Sequence, residues 1–363
     1  MSLEAIALVS MSFAPTAAAV LAVAVALGID WHLGEPPVWA HPVVGMGRYL
    51  GALGRPLTQW PPAAAWLGGM LAWCLGALLV AALALAAQVF IEKVLVIHAL
   101  RCLFAAGMGM SMGIGMGMGS SKVWLLQMGL EMALQIALQG VLLGIVLKPL
   151  LAWRMLRDEV VGVEDALGRS LPEGRARLQR LVSRDVGQLD EAAVRESAIE
   201  SLAENLNDSL VAPLCWFAVG GLPAVAVYRF ANTADAMWGY RGPYEWAGKW
   251  AAKADDALSL LPARLTALLL CAACGRWPGW QRMRDQAALT PSPNGGWPMG
   301  TMALLLGVAL RKPGVYVLHE SGRVPQAADT LLALACAGRA VGCAAVLLSG
   351  FMLLAAWAIK VTA

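Results

Sequence analysis

The chain has 363 residues, 59% of them hydrophobic and only 14% charged. A soluble globular domain is nearer half apolar and a quarter charged, so this composition excludes an ordinary soluble enzyme and makes the lipid bilayer a partner. A formal net charge of +3 gives no reason to expect nucleic acid as a partner. The seven cysteines are scattered and mostly sit in apolar runs, the habit of buried free thiols; only Cys271 and Cys274 form a CxxC.

A membrane-spanning helix needs about 20 mostly apolar residues. Residues 13–29, 63–90, 124–147 and 341–359 meet that standard. The first run has no basic residue before it and no small-residue cleavage site after it, so it reads as a membrane helix, not as a signal peptide. Residues 32–62 carry Arg48 and Arg55, which places them in the cytoplasm and the N-terminus outside. The second and third spans lead out and back, leaving 91–123 on the outer side. That stretch contains GMGMSMGIGMGMG, residues 107–119. Its five methionines are soft ligands suited to copper(I), but glycine at alternate positions opposes helix and packing and favours a low-complexity loop.

Residues 148–208 hold nine Lys/Arg and twelve Asp/Glu, which marks a helical cytoplasmic segment. The apolar run at 210–230 is broken by Gly220, Gly221 and Pro223. Each half has about nine residues, too short to cross alone, so a re-entrant hairpin is expected. Shorter apolar runs follow at 258–274 and 299–310. No strand-like alternation of useful length appears. The expected fold is all-α: a polytopic membrane helical bundle with a cytoplasmic helical segment and broken or re-entrant helices. It divides into 1–147 (N-terminal membrane helices, with 91–123 as an outward insertion), 148–209 (cytoplasmic segment) and 210–363 (site-bearing partial and spanning helices).

Apolar periodicity leaves five polar clusters unexplained, and ionisable groups near a bilayer tend to be functional. In ESLAENLNDS, residues 200–209, helical spacing puts Glu200, Glu204 and Asp208 on one face, with Asn205 beside it. Three like charges on one face call for a counter-ion, and Mg²⁺ with substrate phosphates is a natural one; a solvated face balanced by Arg184 or Arg195 is the alternative. In YRFANTADAMWGYR, residues 228–241, Asn232 and Asp235 lie one turn apart between Arg229 and Arg241, which can bind phosphate or carboxylate. In KWAAKADDALSLLPARLTA, residues 249–267, Asp255 and Asp256 point to different sides of a helix, one toward a metal and the other toward Lys253 or Arg264. PSPNGGWPM, residues 291–299, is a tight loop whose amides can cradle an anion. In GEPPVWAHPVVGMGR, residues 34–48, His41 is either a general base or a structural histidine. Walker A, G-x-G-x-x-G after a strand, and H-E-x-x-H are all absent from the sequence.

Taken in this order, with the later LRKPGVYVL, the five clusters resemble the CobD/CbiB family of cobalamin biosynthesis, the adenosylcobinamide-phosphate synthases. The resemblance covers most of residues 28–334. It implies ATP-dependent amide ligation of (R)-1-aminopropan-2-ol, or its O-phosphate, to a carboxylate of adenosylcobyric acid, with ATP and Mg²⁺ required. It implies Glu200, Glu204, Asp208, Asp235, Asp255 and Asp256 as catalytic groups, with Glu204, Asp208 and Asp235 as metal ligands. Arg184, Arg229, Arg241, Arg264, Asn205 and Asn232 would contact nucleotide or phosphate. His41, Ser292 and Asn294 would position substrate. It also implies an inner-membrane location, a site facing the cytoplasm, and other late cobalamin-pathway enzymes as partners. The chain departs from the family pattern at Glu35, where Asp is common, at Thr290, where His is frequent, and at Met299, where an acidic residue is common. The insertion at 91–123 matches nothing in that pattern. The Asn205-x-x-Asp208 and Asn232-x-x-Asp235 pairs also suggest a Mg²⁺-dependent membrane transferase acting on a diphosphate, although Ala212 and Gly239 stand where its further aspartates belong. A non-catalytic sensor or scaffold of the same fold is a third reading, which retention of the acidic residues opposes.

Overall fold

The computed structural model describes residues 3–95, 120–240 and 242–362, and these are almost wholly helical. Six helical segments are long and apolar enough to cross a membrane, so the chain is a multi-pass membrane protein. Four of them contain the runs expected to cross: α1 (Leu3–Leu33), α3 (Pro62–Val89), α4 (Ser120–Leu147) and α12 (Ala327–Thr362). The amphipathic helix α2 (Pro42–Leu57) links α1 to α3. Close approach of the spans depends on glycine. Gly140 and Gly144, four apart on α4, lie against Leu21, Val25 and the Ala22 carbonyl of α1, where a Cβ would come within 2.9 Å. This is the small-residue spacing that lets membrane helices touch.

Helices α5 (Trp153–Leu167), α6 (Leu171–Leu178) and α7 (Glu191–Leu206) form the charged segment. Ser170 caps α6 by accepting from the Glu173 amide, and Asp190 caps α7 by accepting from Ala193. Val163, Leu178, Val186 and Val194 give this part a small core of its own.

A π-helical turn (Asn207–Val211) joins α7 to α8 (Ala212–Trp238). Arg229 donates to the Asp208 carbonyl at 2.9 Å. In a straight helix those residues would be roughly 30 Å apart, so the chain doubles back between them. The reversal is at Gly220 and Gly221; Gly221 has φ +63° and ψ −153°, a region open essentially to glycine. Gln88 of α3 grips the turn by accepting from the Leu222 amide at 3.0 Å. The expected re-entrant hairpin is therefore present, and its two arms end on the same side of the molecule.

Helix α9 (Lys249–Cys274) packs along the hairpin, followed by α10 (Trp280–Ala287) and α11 (Gly296–Leu306), whose residues are all buried. Two findings depart from the sequence reading. A three-residue antiparallel hairpin, β1 (Leu310–Lys312) with β2 (Tyr316–Leu318), follows α11, too short to leave an alternating signature. Cys274 forms a disulfide with Cys336, because α9 and α12 pack with these residues facing each other; Cys271 stays free against Met283.

The helix ends define two faces. Pro15, Gln88, Glu92, Gly221 and Ile359 line one cavity of about 340 Å³ at the end where the re-entrant hairpin turns. The ends of α1 and α4, the start of α12 and both feet of the hairpin lie at the other end. The five polar clusters gather there.

Candidate active site

The π turn and the hairpin bring the acidic residues together. Asp208 projects from the π turn, a distortion frequent at functional positions. The returning arm of α8 carries Arg229, Asn232 and Asp235, and Asp255 and Asp256 come from the first turns of α9. The Asn232 amide lies against both Asp208 and Asp255. Asp255 is within electrostatic range of Asp208, Asp235 and Asp256, and its Oδ1 is buried with no hydrogen-bond partner among the described residues. Arg229 is the cation set into this cluster: it donates to the Asp208 carbonyl and to Asn232 Oδ1 (3.2 Å), and its Nε is buried without a partner. Arg229 is within electrostatic range of Asp208 and Asp255, and with Asp235 and Asp256 beside them the cluster carries a surplus of negative charge.

One turn earlier on α7 the balance differs. Tyr316 donates to Glu200 Oε1 at 2.5 Å. Burial and the Glu200 carboxylate push the Tyr316 phenol up, so it stays a proton donor. Arg184 lies 3.8 Å from Glu200 Oε2 and donates to Ser197 at 2.6 Å. Glu200 is thus a buried carboxylate with Tyr316 on one oxygen, while its Oε2 has no hydrogen-bond partner among the described residues. Glu204 leans on the loop, where a Cβ at Gly295 would sit 3.1 Å from its Oε1. Lys312 of β1 is within electrostatic range of both Glu200 and Glu204.

The loop at 290–295 is braced from all sides. Ser292 Oγ accepts from the amides of Asn294 and Gly295, and Thr290 donates to the Ser292 carbonyl at 2.9 Å. Asn294 is buried and donates to the Asp256 carbonyl at 2.7 Å, tying the loop to α9. Arg264 donates to Asn294 Oδ1 (3.0 Å) and to the Pro293 carbonyl, and stacks on Trp297. Expected to contact phosphate, Arg264 has its guanidinium committed to fixing the loop. Neither Lys253 nor Arg264 pairs with Asp256.

His41 forms part of a knot at the ends of α1 and α4. Its Nε2 is 3.2 Å from Glu35, Lys148 reaches Glu35 (2.8 Å) and Asp30 (3.2 Å), and Asp30 accepts from the Arg154 amide. Burial raises the Glu35 carboxyl, but hydrogen bonds from His41 and Lys148 outweigh it and hold the group below its ordinary range. Arg229 feels the Glu35 charge, so the knot borders the acidic cluster.

The structure thus joins Asp208, Arg229, Asn232, Asp235, Asp255 and Asp256 in one cluster, with Glu200, Glu204 and Arg184 beside it and Ser292 and Asn294 in the adjoining loop. Asn205 turns its amide onto the Ser201 carbonyl of its own helix. Arg241 and the 107–119 run lie outside the described residues. Among the described residues, no three acidic, histidine or cysteine side chains converge on a single ion. Glu204 touches the loop and is also within electrostatic range of Asp208 and Asp235, the two residues expected to share a metal with it. Sequence reasoning missed Lys148, Lys312 and Tyr316, whose partners are far away along the chain; the LRKPGVYVL motif was the one signal for the last two.

This architecture defines a class: a multi-pass helical membrane protein whose re-entrant hairpin presents an acidic cluster at one end of the helix bundle. The sequence model described as "CobD/Cbib protein" matches residues 23–342, and the chain belongs to that family. A cobalamin biosynthesis protein CobD of Dehalococcoides mccartyi is 43% identical over 171 residues, which cover 45% of this chain and 56% of that protein. One of the same name from Brucella melitensis is 45% identical over 177 residues, or 46% and 54% of the two chains. A probable cobalamin biosynthesis protein CobD of Thermococcus kodakarensis is 34% identical over 314 residues, or 85% and 87%. The match thus spans about half the length of the first two relatives and most of the third. No solved structure gives a significant match.

Proposed function

We propose that this protein is a cobalamin-biosynthesis enzyme that joins (R)-1-aminopropan-2-ol, or its O-phosphate, to a carboxylate of adenosylcobyric acid, using ATP. A carboxylate does not condense with an amine at neutral pH without activation. In the proposed reaction its oxygen attacks the γ-phosphorus of ATP, giving an acyl phosphate and ADP. The amine nitrogen then adds to the acyl carbon, phosphate leaves, the amide forms, and a nearby carboxylate takes the surplus ammonium proton.

The observation that carries this reading is the surplus of negative charge around Arg229, with an Asp255 oxygen left buried and unpartnered. Carboxylates so crowded suit a divalent cation that bridges them to phosphates. Asp208 and Asp235, together with the substrate phosphates, would hold Mg²⁺, which when bound neutralises phosphate charge. Arg229 and the amides of the 292–295 loop would orient oxyanions beside them. His41 would act at the rim through Glu35. The site lies at the face where positive residues collect, so we place it toward the cytoplasm, with the protein in the inner membrane. Late enzymes of the same route would deliver and collect the corrin.

The test is to incubate detergent-purified protein with adenosylcobyric acid, either amine, ATP and Mg²⁺ and to look for the amide by mass spectrometry. An amide that requires ATP supports the ligase; folded protein that binds corrin and ATP yet yields no amide with either amine removes it.

A further inference from the structure

The corner between α7, the β-hairpin and the 292–295 loop contains two carboxylates, Glu200 and Glu204, and two cations, Arg184 and Lys312. Glu200 Oε1 is already taken by Tyr316, and Arg184 lies 3.8 Å from its Oε2. Glu204 and Lys312 are not closed on each other. They interact across the corner, yet among the described residues no carboxylate lies within ion-pair distance of the Lys312 ammonium. That ammonium instead sits 5.7 Å above the Tyr316 ring, on a side chain only half buried. The ring is held by its bond to Glu200, and the backbone of Lys312 by its pairing with Tyr316 in the hairpin. Arg311, next along β1, points elsewhere and closes on Glu196. The hairpin therefore uses one cation to anchor itself and leaves the adjacent one within electrostatic range of Glu200 and Glu204. A carboxylate and an ammonium that face one space without pairing suit a small molecule carrying both charges in the opposite sense.

We infer that Lys312 is the specificity-determining residue for the small co-substrate: it binds an oxyanion carried by the amine, while Glu204 faces the ammonium end. Identifying the molecule as a phosphorylated amino alcohol rests on the ligase reading; the charge pattern of the corner does not. Arg184 adds positive potential, since its Nε and Nη1 are buried without partners. A charge-assisted contact from an ammonium to phosphate corresponds to about a tenfold or greater gain in affinity.

The test titrates the full chain in detergent, without nucleotide, with 1-aminopropan-2-ol O-phosphate and with 1-aminopropan-2-ol. Wild type is compared with Lys312→Met, Lys312→Gln and Lys312→Arg by calorimetry, with melting temperature as the check on folding. Wild type is expected to prefer the phosphorylated amine. Lys312→Met and Lys312→Gln should weaken that ligand about tenfold or more, and Lys312→Arg by no more than about threefold. The unphosphorylated amine should change by less than about threefold in every variant. Equal binding of the phosphorylated amine by wild type and either neutral variant would overturn the inference, as would a wild type with no preference between the amines. So would equal loss of both ligands in a neutral variant of unchanged melting temperature. Amide formation is read separately. Lys312-dependent binding without amide would sink the ligase reading and leave this inference standing; ATP-dependent amide with Lys312-independent binding would do the reverse.

Discussion

Two sets of carboxylates sit in this molecule at similar depth and are treated in opposite ways. Glu164 is clamped by Arg195 at 2.8 Å and hydrogen-bonded by Thr330, Glu196 is paired with Arg311, and Asp329 is held by both Nη atoms of Arg323 at 2.6 Å. Among the described residues none of Asp208, Asp235, Asp255 and Asp256 forms an ion pair: Arg229 is within electrostatic range of Asp208 and Asp255, and an Asp255 oxygen has no hydrogen-bond partner. A charge taken out of water without a partner is strongly unfavourable, so the paired set reads as structure and the crowded set as a site that awaits a ligand. The difference teaches that in this fold the surplus of charge, more than its presence, separates the working groups from the supporting ones.

Substitutions can break that comparison. The largest expected effect is on activity. Asp208→Asn should lower the proposed ATP-dependent amide formation by about 100-fold or more, read by mass spectrometry, because it removes a charge that on the proposed reading would face the reacting phosphates. In the paired set the effect moves to stability. Glu164→Gln leaves Arg195 without its main partner and should destabilise the fold by about 3 kcal/mol, read from thermal or denaturant melting in detergent. Gly221→Ala tests the frame that carries the site. Its Cβ would fall 2.5 Å from Gln88 Oε1, in a backbone region closed to alanine, and should cost about 2 kcal/mol and misplace Arg229 and Asp235. The smallest effect is at the knot. The Glu35 carboxyl is held below its ordinary value of 4.5, so its stabilising share is present above that pH and is lost as pH falls through the lower folded value. Glu35→Gln should flatten the acid limb of the melting-temperature profile while leaving the limb above neutrality unchanged.

Much of this arrangement was legible in the sequence, for particular reasons. Spans declare themselves by length and apolarity, and Gly220, Gly221 and Pro223 announced the re-entrant hairpin because few other residues tolerate the turn. The acidic cluster showed itself through helical spacing and its place beside apolar runs. What stayed hidden depends on pairings distant in sequence. Tyr316 and Glu200 are 116 positions apart, so nothing local told that Glu200 has a hydrogen-bond partner on the β-hairpin. The same holds for Lys148 with Asp30 and Glu35, and for the disulfide between Cys274 and Cys336. Glu204 shares a helical face with Asp208 and stays within electrostatic range of it, but it also touches the loop at Gly295, which spacing alone does not reveal.

The most direct test of the contrast is Asp255→Asn, with melting temperature and ATP-dependent amide formation measured on one preparation. Asp255 lies among three like charges with an unpartnered oxygen, so removing its charge should keep or raise the melting temperature while amide formation falls by about 100-fold. A melting temperature that drops together with activity would mark Asp255 as a structural group like Glu164. Full activity in the variant would contradict the assignment of the acidic cluster as the reacting site.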